Sequence, residues 1–349
     1  MKFRFGKLAG AGLAGLALSL VFALSLTLGS VRIPLKDVWM VLIAVLTGKA
    51  SAVDPTTLVI VWQLRAARTI LAALAGAALG GSGAILQGLF RNPLADPYSL
   101  GVSSGASLGA VIAIAGNWSL GLYFISAVEL SAFAAAMLTA GLVYLIARSN
   151  RRASTSVALL LAGAAVGSFF SALVSLIVSL NDRDLHTVFF WLLGGFGGKS
   201  WPDVGIAVMP VVMVMGSAAA LAHPLDILGA GEEAAGTLGL NVSLLRLLAV
   251  GTASLGAAAA VASGGIIGFI GLLGPHLARL LAGPLHKRFV PVSMAVGAML
   301  LMTADAIART LVAPRELPVG ILTALVGAPL FLRLLSHGGK THHAEGGAP

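Results

Sequence analysis

Residues 64–109 read LRAARTILAALAGAALGGSGAILQGLFRNPLADPYSLGVSSGASLG. Two arginines, Arg65 and Arg68, open an apolar helix of small residues. That helix runs into a polar break, Arg91-Asn92-Pro93-Leu94-Ala95-Asp96-Pro97, and a second Gly/Ser/Ala-rich apolar helix follows. Glycine recurs at four-residue intervals, at Gly76 and Gly80 and again at Gly101, Gly105 and Gly109, so the small residues share a helix face. In lipid such a face lets helix backbones approach closely. The pattern predicts an all-α polytopic membrane protein, tightly packed, with a specialised break between two of its helices.

Composition points the same way. The chain is 58% hydrophobic and 10% charged over 349 residues, with a mean hydropathy of +0.98. A soluble globular chain carries about 25% charged residues, and so little charge cannot cover a water-soluble surface of this size. The 44 glycines fit the enrichment of glycine in membrane helices. The absence of cysteine excludes disulfides, thiolate metal sites and Cys nucleophiles. The net charge of +9 sits in short loops between apolar spans, where it sets topology. Nucleic acid is not an expected partner; membrane lipid is.

Apolar runs suited to spanning lie at Leu8–Leu28, Thr69–Leu89, Leu100–Ala115, Leu120–Ala147, Val157–Leu180, Val204–Ala222, Leu244–Ala262, Ile266–Leu281, Val290–Leu311 and Val319–Leu335. That is about ten spans, each near the ~17–25 residues a bilayer needs. The first follows Lys2, Arg4 and Lys7 like a secretory signal, but it lacks a small-x-small cleavage site and reads as a retained helix. Val38–Leu46 is too short to span and lies at the interface. Residues 1–335 thus form a single transmembrane domain, with 336–349 a polar, disordered cytoplasmic tail.

Loop charge orients the chain. The N-terminal cluster, Arg148, Arg151 and Arg152, His286, Lys287 and Arg288, and the C-terminal tail fall on the cytoplasmic side. Both termini are then cytoplasmic. The same alternation puts Arg65, Arg68, Arg309 and Arg315 outside, against the positive-inside bias. Either they snorkel to headgroups or they form an external basic docking surface for an acidic partner.

Several patterns lead nowhere chemically. Gly194-Gly195-Phe196-Gly197-Gly198-Lys199-Ser200 looks like a phosphate loop, but Leu193 occupies the position where that motif requires glycine. No other nucleotide loop is present, so the chain cannot energise transport with ATP by itself. His186, His223, His276 and His286 are scattered without nearby carboxylates, so no metal site is expected. No catalytic constellation stands out. Gly88–Ala95 faintly echoes Gly271–Ala278, as an inverted repeat would. Within the spans Asp305 is the clearest ionisable residue, and Arg309 four positions on can pair with it.

The inner loop 225–242, LDILGAGEEAAGTLGLNV, is more informative. Glu232 and Glu233 open a short Ala-rich helix, where acidic residues favour the dipole. Gly231 and Gly239 flank it, and Leu238 lies at its end. A short helix of this kind, too polar to insert, suits docking to a soluble partner. An ordinary interfacial helix is the alternative.

The run GSGAILQGLFRNPLADPYSLGVSSGASLGA resembles the signature of the FecCD family, the iron-chelate and cobalamin permeases of bacterial type II ABC importers. So do LLLAGAAV, FWLLGGFGG, LGAGEEAAGTLGLNV, GGIIGFIGLLGPHLARLLAGP and TADAIARTLVAPRELPVGILTALVGAPLFLRLL, in family order from about Leu64 to Leu335. The resemblance implies a ten-helix permease of the bacterial inner membrane, working by alternating access. Its partners would be a second permease subunit, in a homodimer or pseudo-dimer, two cytoplasmic ATPase subunits and a periplasmic substrate-binding protein. It implies docking of that binding protein on Arg65, Arg68 and Arg309, and ATPase coupling through Gly231, Glu232, Glu233, Leu238 and Gly239. It also implies a cytoplasmic gate at Ser154 and Thr155. The cargo would be a metal chelate: a ferric siderophore first, with haem and cobalamin as the other members of the class. No cofactor belongs to this subunit, and ATP with Mg²⁺ is used by the partner ATPase. The competing class, a secondary transporter driven by an ion gradient, needs intramembrane coupling carboxylates. Only Asp305 qualifies.

Overall fold

The computed structural model describes residues 7–49, 53–121, 126–149 and 155–338. All regular structure among them is helical. In chain order the helices are α1 (Lys7–Thr27), α2 (Leu35–Leu46), α3 (Pro55–Leu58), a π-helical segment (Val59–Ala66), α4 (Ala67–Phe90), a 3-10 turn (Pro97–Leu100), α5 (Val102–Ala115) and α6 (Ala127–Ser149). There follow α7 (Thr155–Leu180), α8 (Leu185–Leu193), α9 (Trp201–Leu228), α10 (Glu232–Thr237), α11 (Val242–Gly264), α12 (Ile270–Ala282), α13 (His286–Ala308) and α14 (Val319–Gly338). α3, the π segment and α4 run on without a break from Pro55 to Phe90.

The helix starts have local causes. The Asp54 carboxylate accepts the Thr57 N–H at 2.8 Å, with Pro55 in the first helical position, which satisfies one of the free amides there. Ser200 and Asp203 form a reciprocal capping box at α9. Asn241 accepts the Leu244 N–H at α11. The break after α4 is built from three such devices. Arg91 takes the left-handed conformation (φ 50°), Asn92 accepts from Leu94 N, and Asp96 accepts from Tyr98 N.

Among the described residues six helices are long and apolar enough to cross a membrane, and four shorter apolar helices occupy the remaining expected spans. Several boundaries move, the most at the span expected from Thr69, which is helical from Pro55. Of the run expected over Leu120–Ala147, Ala127–Ser149 is helix and 122–125 lie outside the described residues, and the run expected over Val204–Ala222 extends to Trp201–Leu228. α8 ends inside the FWLLGGFGG motif, where the sequence predicts no span. α14 continues to Gly338, past the expected domain end at 335, and 339–349 lie outside the described residues. The echo between Gly88–Ala95 and Gly271–Ala278 does not correspond in structure. The first spans a helix end and a turn, while the second lies wholly within α12.

α4 is the axis of the bundle, buried along nearly its whole length. It runs antiparallel to α13: Arg68 near its start meets Asp305, and a side chain placed on Gly88 near its end would strike His286. Between these points glycine permits backbone contact. A Cβ on Gly76 would overlap the Gly297 carbonyl, one on Gly80 the Ser293 carbonyl, and one on Gly83 the Gly271 carbonyl of α12. Gly105 and Gly109 of α5 meet α6 in the same way, at Thr139 and Ser131. The glycine spacing in the sequence is therefore a contact pattern.

α5 and α12 are short, at 14 and 13 residues. At 1.5 Å per residue each reaches about 20 Å, against a hydrocarbon thickness of about 30 Å. α12 opens deep in the bundle, since Gly271 packs on Gly83 of α4 and on Pro97 of the break. Its first cap, Phe269, sits at φ 68°, a conformation a bulky side chain adopts only under constraint. Phe269 lies directly beneath Gly327 of α14.

Candidate functional site

The bundle has two polar ends. The first carries the three arginines. Arg65 donates through Nη1 to the carbonyls of Leu26 (2.8 Å) and Thr27 (3.1 Å), and through Nη2 to that of Val31. It thus satisfies carbonyls that the end of α1 leaves free. Its guanidinium lies flat on Gly29, where a Cβ would stand 2.7 Å from Nη2.

Arg68 donates through Nε to Asp305 Oδ1 at 2.9 Å and through Nη1 to Glu316 Oε2 at 2.6 Å. Arg309 reaches Asp305 Oδ2 through Nε at 3.1 Å, and through Nη2 the hydroxyl of Ser25 at 2.8 Å. Asp305 is fully buried between the two guanidiniums. The i,i+4 pair expected from the sequence is therefore present, with Arg68 added from 237 residues away.

The expectation of an exposed basic patch needs correction. Arg65, Arg68 and Arg309 are 6%, 8% and 3% exposed. They are neither snorkelling nor free, because in this bundle their cheapest surroundings are internal acceptors. Three guanidiniums against two carboxylates leave one net positive charge. Of the two carboxylates only Glu316 is accessible, its side chain 38% exposed. Glu316 stands beside Arg315 in the ELPVG stretch, and nothing in the sequence paired it with Arg68.

The glycine loop that imitates a nucleotide motif packs beside this cluster. Gly195 N–H is spent on the Gly264 carbonyl at 2.7 Å, and Lys199 is paired with Glu129 and Asp203. Burial holds the Lys199 ammonium below the usual lysine range, and Asp203 offsets only part of that. A cavity of about 360 Å³ opens here, with Arg68, Trp191, Phe196, Lys199 and Glu316 among its lining residues.

The second polar end carries α10. Gly231 and Gly239, which flank it, take φ of +118° and +81°, so both turns rely on glycine. Glu232, Glu233 and Leu238 are exposed, and Ala235 is buried beneath them. One ion pair holds the helix down, Arg246 Nη2 to Glu232 Oε1 at 2.9 Å. The short helix expected between Gly231 and Gly239 is therefore present, with its acidic start exposed.

His286 corrects a further expectation. It does have a carboxylate neighbour: its Nδ1 lies 2.6 Å from Asp226 Oδ1, across 60 residues of sequence. Ser154 lies outside the described residues. Thr155 opens α7, and its side chain lies outside them too.

Known proteins share this architecture and sequence. A model of the FecCD transport family matches residues 17–337. The cobalamin import system permease protein BtuC of Halobacterium salinarum is 46% identical over 285 residues, covering 81% of this chain and 75% of that protein. The Fe(3+)-citrate import system permease protein YfmE of Bacillus subtilis is 40% identical over 276 residues, covering 79% of this chain and 81% of that one. A solved inward-facing conformation of a proposed metal-chelate type ABC transporter superposes with a TM-score of 0.81 at 32% identity, covering 93% of this chain and 98% of the other.

Proposed function

The chain belongs to the FecCD transport family, and from that premise we propose that it moves a metal chelate across the bacterial inner membrane by alternating access, driven by separate ATPase subunits. It is a multi-pass ABC transporter permease. The observation that carries the finer reading is α10: a turn of exposed acidic and apolar side chains between two glycine hinges, held to the bundle by buried Ala235 and the Arg246–Glu232 ion pair. Such an element can take a push from a soluble partner and pass it to α9 and α11.

In this reading the α10 end and both termini face the cytoplasm, where two ATPase subunits dock. They bind ATP and Mg²⁺. A second copy of the permease completes the pathway, and Ser154 and Thr155 belong to its inner gate. A ferric siderophore is the first choice of cargo, with haem and cobalamin in the same class. Relatives named for cobalamin and for Fe(3+)-citrate import support the class as a whole. The ion-gradient alternative loses support at Asp305, the one candidate coupling carboxylate, which is already paired with two guanidiniums.

The test is uptake in vesicles containing the permease, its ATPase and its binding protein. ATP inside should drive chelate accumulation, and a proton or sodium gradient without ATP should not. Glu232→Lys with Glu233→Lys should lower ATPase affinity or cargo moved per ATP by about tenfold, the scale of a few reversed charge contacts. Wild-type coupling in that variant would remove α10 from the interface.

The arginine end is the docking face for the binding protein in this reading, through Arg65, Arg68 and Arg309. Their burial makes Glu316 the informative position. Glu316→Gln should free the Arg68 fork and raise the cluster's net charge by one. An acidic binding protein should then dock about 2–5-fold more tightly at low salt, an effect that shrinks as salt screens it. Weaker or unchanged docking at low salt would place the partner's carboxylates elsewhere.

A further inference from the structure

The corner between α9 and α10 holds a second polar junction, built on Asp226 and His286. Asp226 is two residues from the end of α9 and six before the start of α10. Its Oδ1 accepts two hydrogen bonds from one residue of another helix: the backbone N–H of His286 at 3.0 Å and the imidazole Nδ1 at 2.6 Å. The N-cap of α13, Leu285, offers no side-chain acceptor. Asp226 therefore caps α13 from outside, with a negative charge at the positive end of that helix.

The imidazole is wedged as well as bonded. His286 is 8% exposed. Its Nε2 is buried without a partner and lies against Gly88 of α4, where any Cβ would collide with it. Its ring meets Phe289 edge-on, with centroids 5.7 Å apart. The Arg279 guanidinium of α12 stacks over the other partner, 4.5 Å from the Phe289 centroid. Its Nη2 is 3.5 Å from Gln87 Oε1 on α4. One ring thus touches α9, α4 and α13, and through Phe289 it reaches α12.

These last three helices are the ones locked together by glycine. Gly76 and Gly80 of α4 sit on the α13 backbone, and Gly83 sits on α12. A block packed backbone on backbone moves as a unit, because interiors this dense do not deform continuously. α10 has its own ion pair to α11. Asp226 and His286 form the polar connection from the α9–α10 corner to the block.

We propose that His286 is a positioning residue. With Asp226 it forms the clamp that transmits displacement of α10 to the α4–α12–α13 block. The proposal rests on the reading of α10 as the element moved by the ATPase. The atoms define what the clamp requires: a donor at the δ position of residue 286, aimed at Asp226. Asparagine keeps a donor at that position. Glutamine moves its amide outward, toward Gly88. Phenylalanine keeps the ring and has no donor.

Two measurements separate the clamp from the reading beneath it. In vesicles with ATPase and binding protein, cargo moved per ATP should fall at least fivefold in His286→Phe and His286→Gln and stay within twofold of wild type in His286→Asn. A merely structural histidine would not rank the variants by donor position. The second measurement needs no ATPase. Spin labels at Thr237→Cys on α10 and Ile307→Cys on α13, diluted with unlabelled protein in a chain otherwise free of cysteine, report the separation of corner and block. The width of the distance distribution should at least double in His286→Phe and in Asp226→Ala, and stay near wild type in His286→Asn. If wild type couples ATP to uptake while all variants behave alike in both measurements, the clamp is wrong and the α10 reading stands. If the widths change as stated while Glu232 and Glu233 prove dispensable, the clamp stands and the reading of α10 fails. Should His286→Phe not fold, His286→Gln and Asp226→Ala decide both measurements.

Discussion

Asp305→Ala is expected to lower the stability of the folded permease by about 3–5 kcal/mol, the usual consequence of stranding buried charge by removing one partner. The carboxylate is fully buried. It accepts from Arg68 Nη2 at 2.8 Å and from Arg309 Nε at 3.1 Å. Without it two buried guanidiniums face each other with no carboxylate between them. Among the described residues Arg68 keeps only Glu316, and Arg309, whose Nη1 already lacks a partner, keeps only Ser25 and the main-chain carbonyl of residue 305. Asp305→Asn should fall between, because the amide retains one oxygen acceptor and loses the charge. Glu316→Gln should cost about 1 kcal/mol or less, since a carboxylate this exposed is screened by water. The measurement is the unfolding midpoint of purified protein in one detergent. If Asp305→Ala unfolds no earlier than Glu316→Gln, the cluster does not hold α4 to α13.

The second large effect is a single methyl group. Gly83→Ala should sharply reduce folded, monodisperse protein, while Gly141→Ala should leave it unchanged or improve it. Both glycines are in helices, where alanine is intrinsically favoured by about 1 kcal/mol. A Cβ on Gly141 of α6 meets nothing within 4 Å. On Gly83 it would overlap the carbonyl oxygen of Gly271. Overpacking against side chains costs about 1–3 kcal/mol, and here the obstacle is backbone, which cannot rotate away. α12 would have to leave α4, taking Pro97 and the break with it. Equal yields and midpoints for the two variants would mean that the α4–α12 contact is looser than the glycines imply.

Much of the fold was legible because its causes are local. Each apolar run is long enough to read against a bilayer, and four-residue glycine spacing marks a contact face whatever lies opposite it. The α10 turn was legible for the same reason: two glycines, two acids and an apolar end lie within one short window. Motif order along the chain carried the family. α8 escaped because its nine residues are too few for periodicity to declare.

What the residues could not disclose is who meets whom. Arg65 and Arg68 read as anomalous outer charges, and charge bias alone favoured an exposed patch. Their burial depends on Asp305, Glu316 and the end of α1, which no spacing rule ties to positions 65 and 68. His286 read as an isolated histidine until packing brought Asp226 to it. Hydrophobic length and glycine period are properties of a segment, so the chain by itself determined the apolar spans, their close-packing faces and the α10 turn. Ion pairs and caps between helices depend on which segments become neighbours. Only the tertiary structure decided that the conspicuous arginines are internal struts, and that a carboxylate at the end of α9 holds the start of α13.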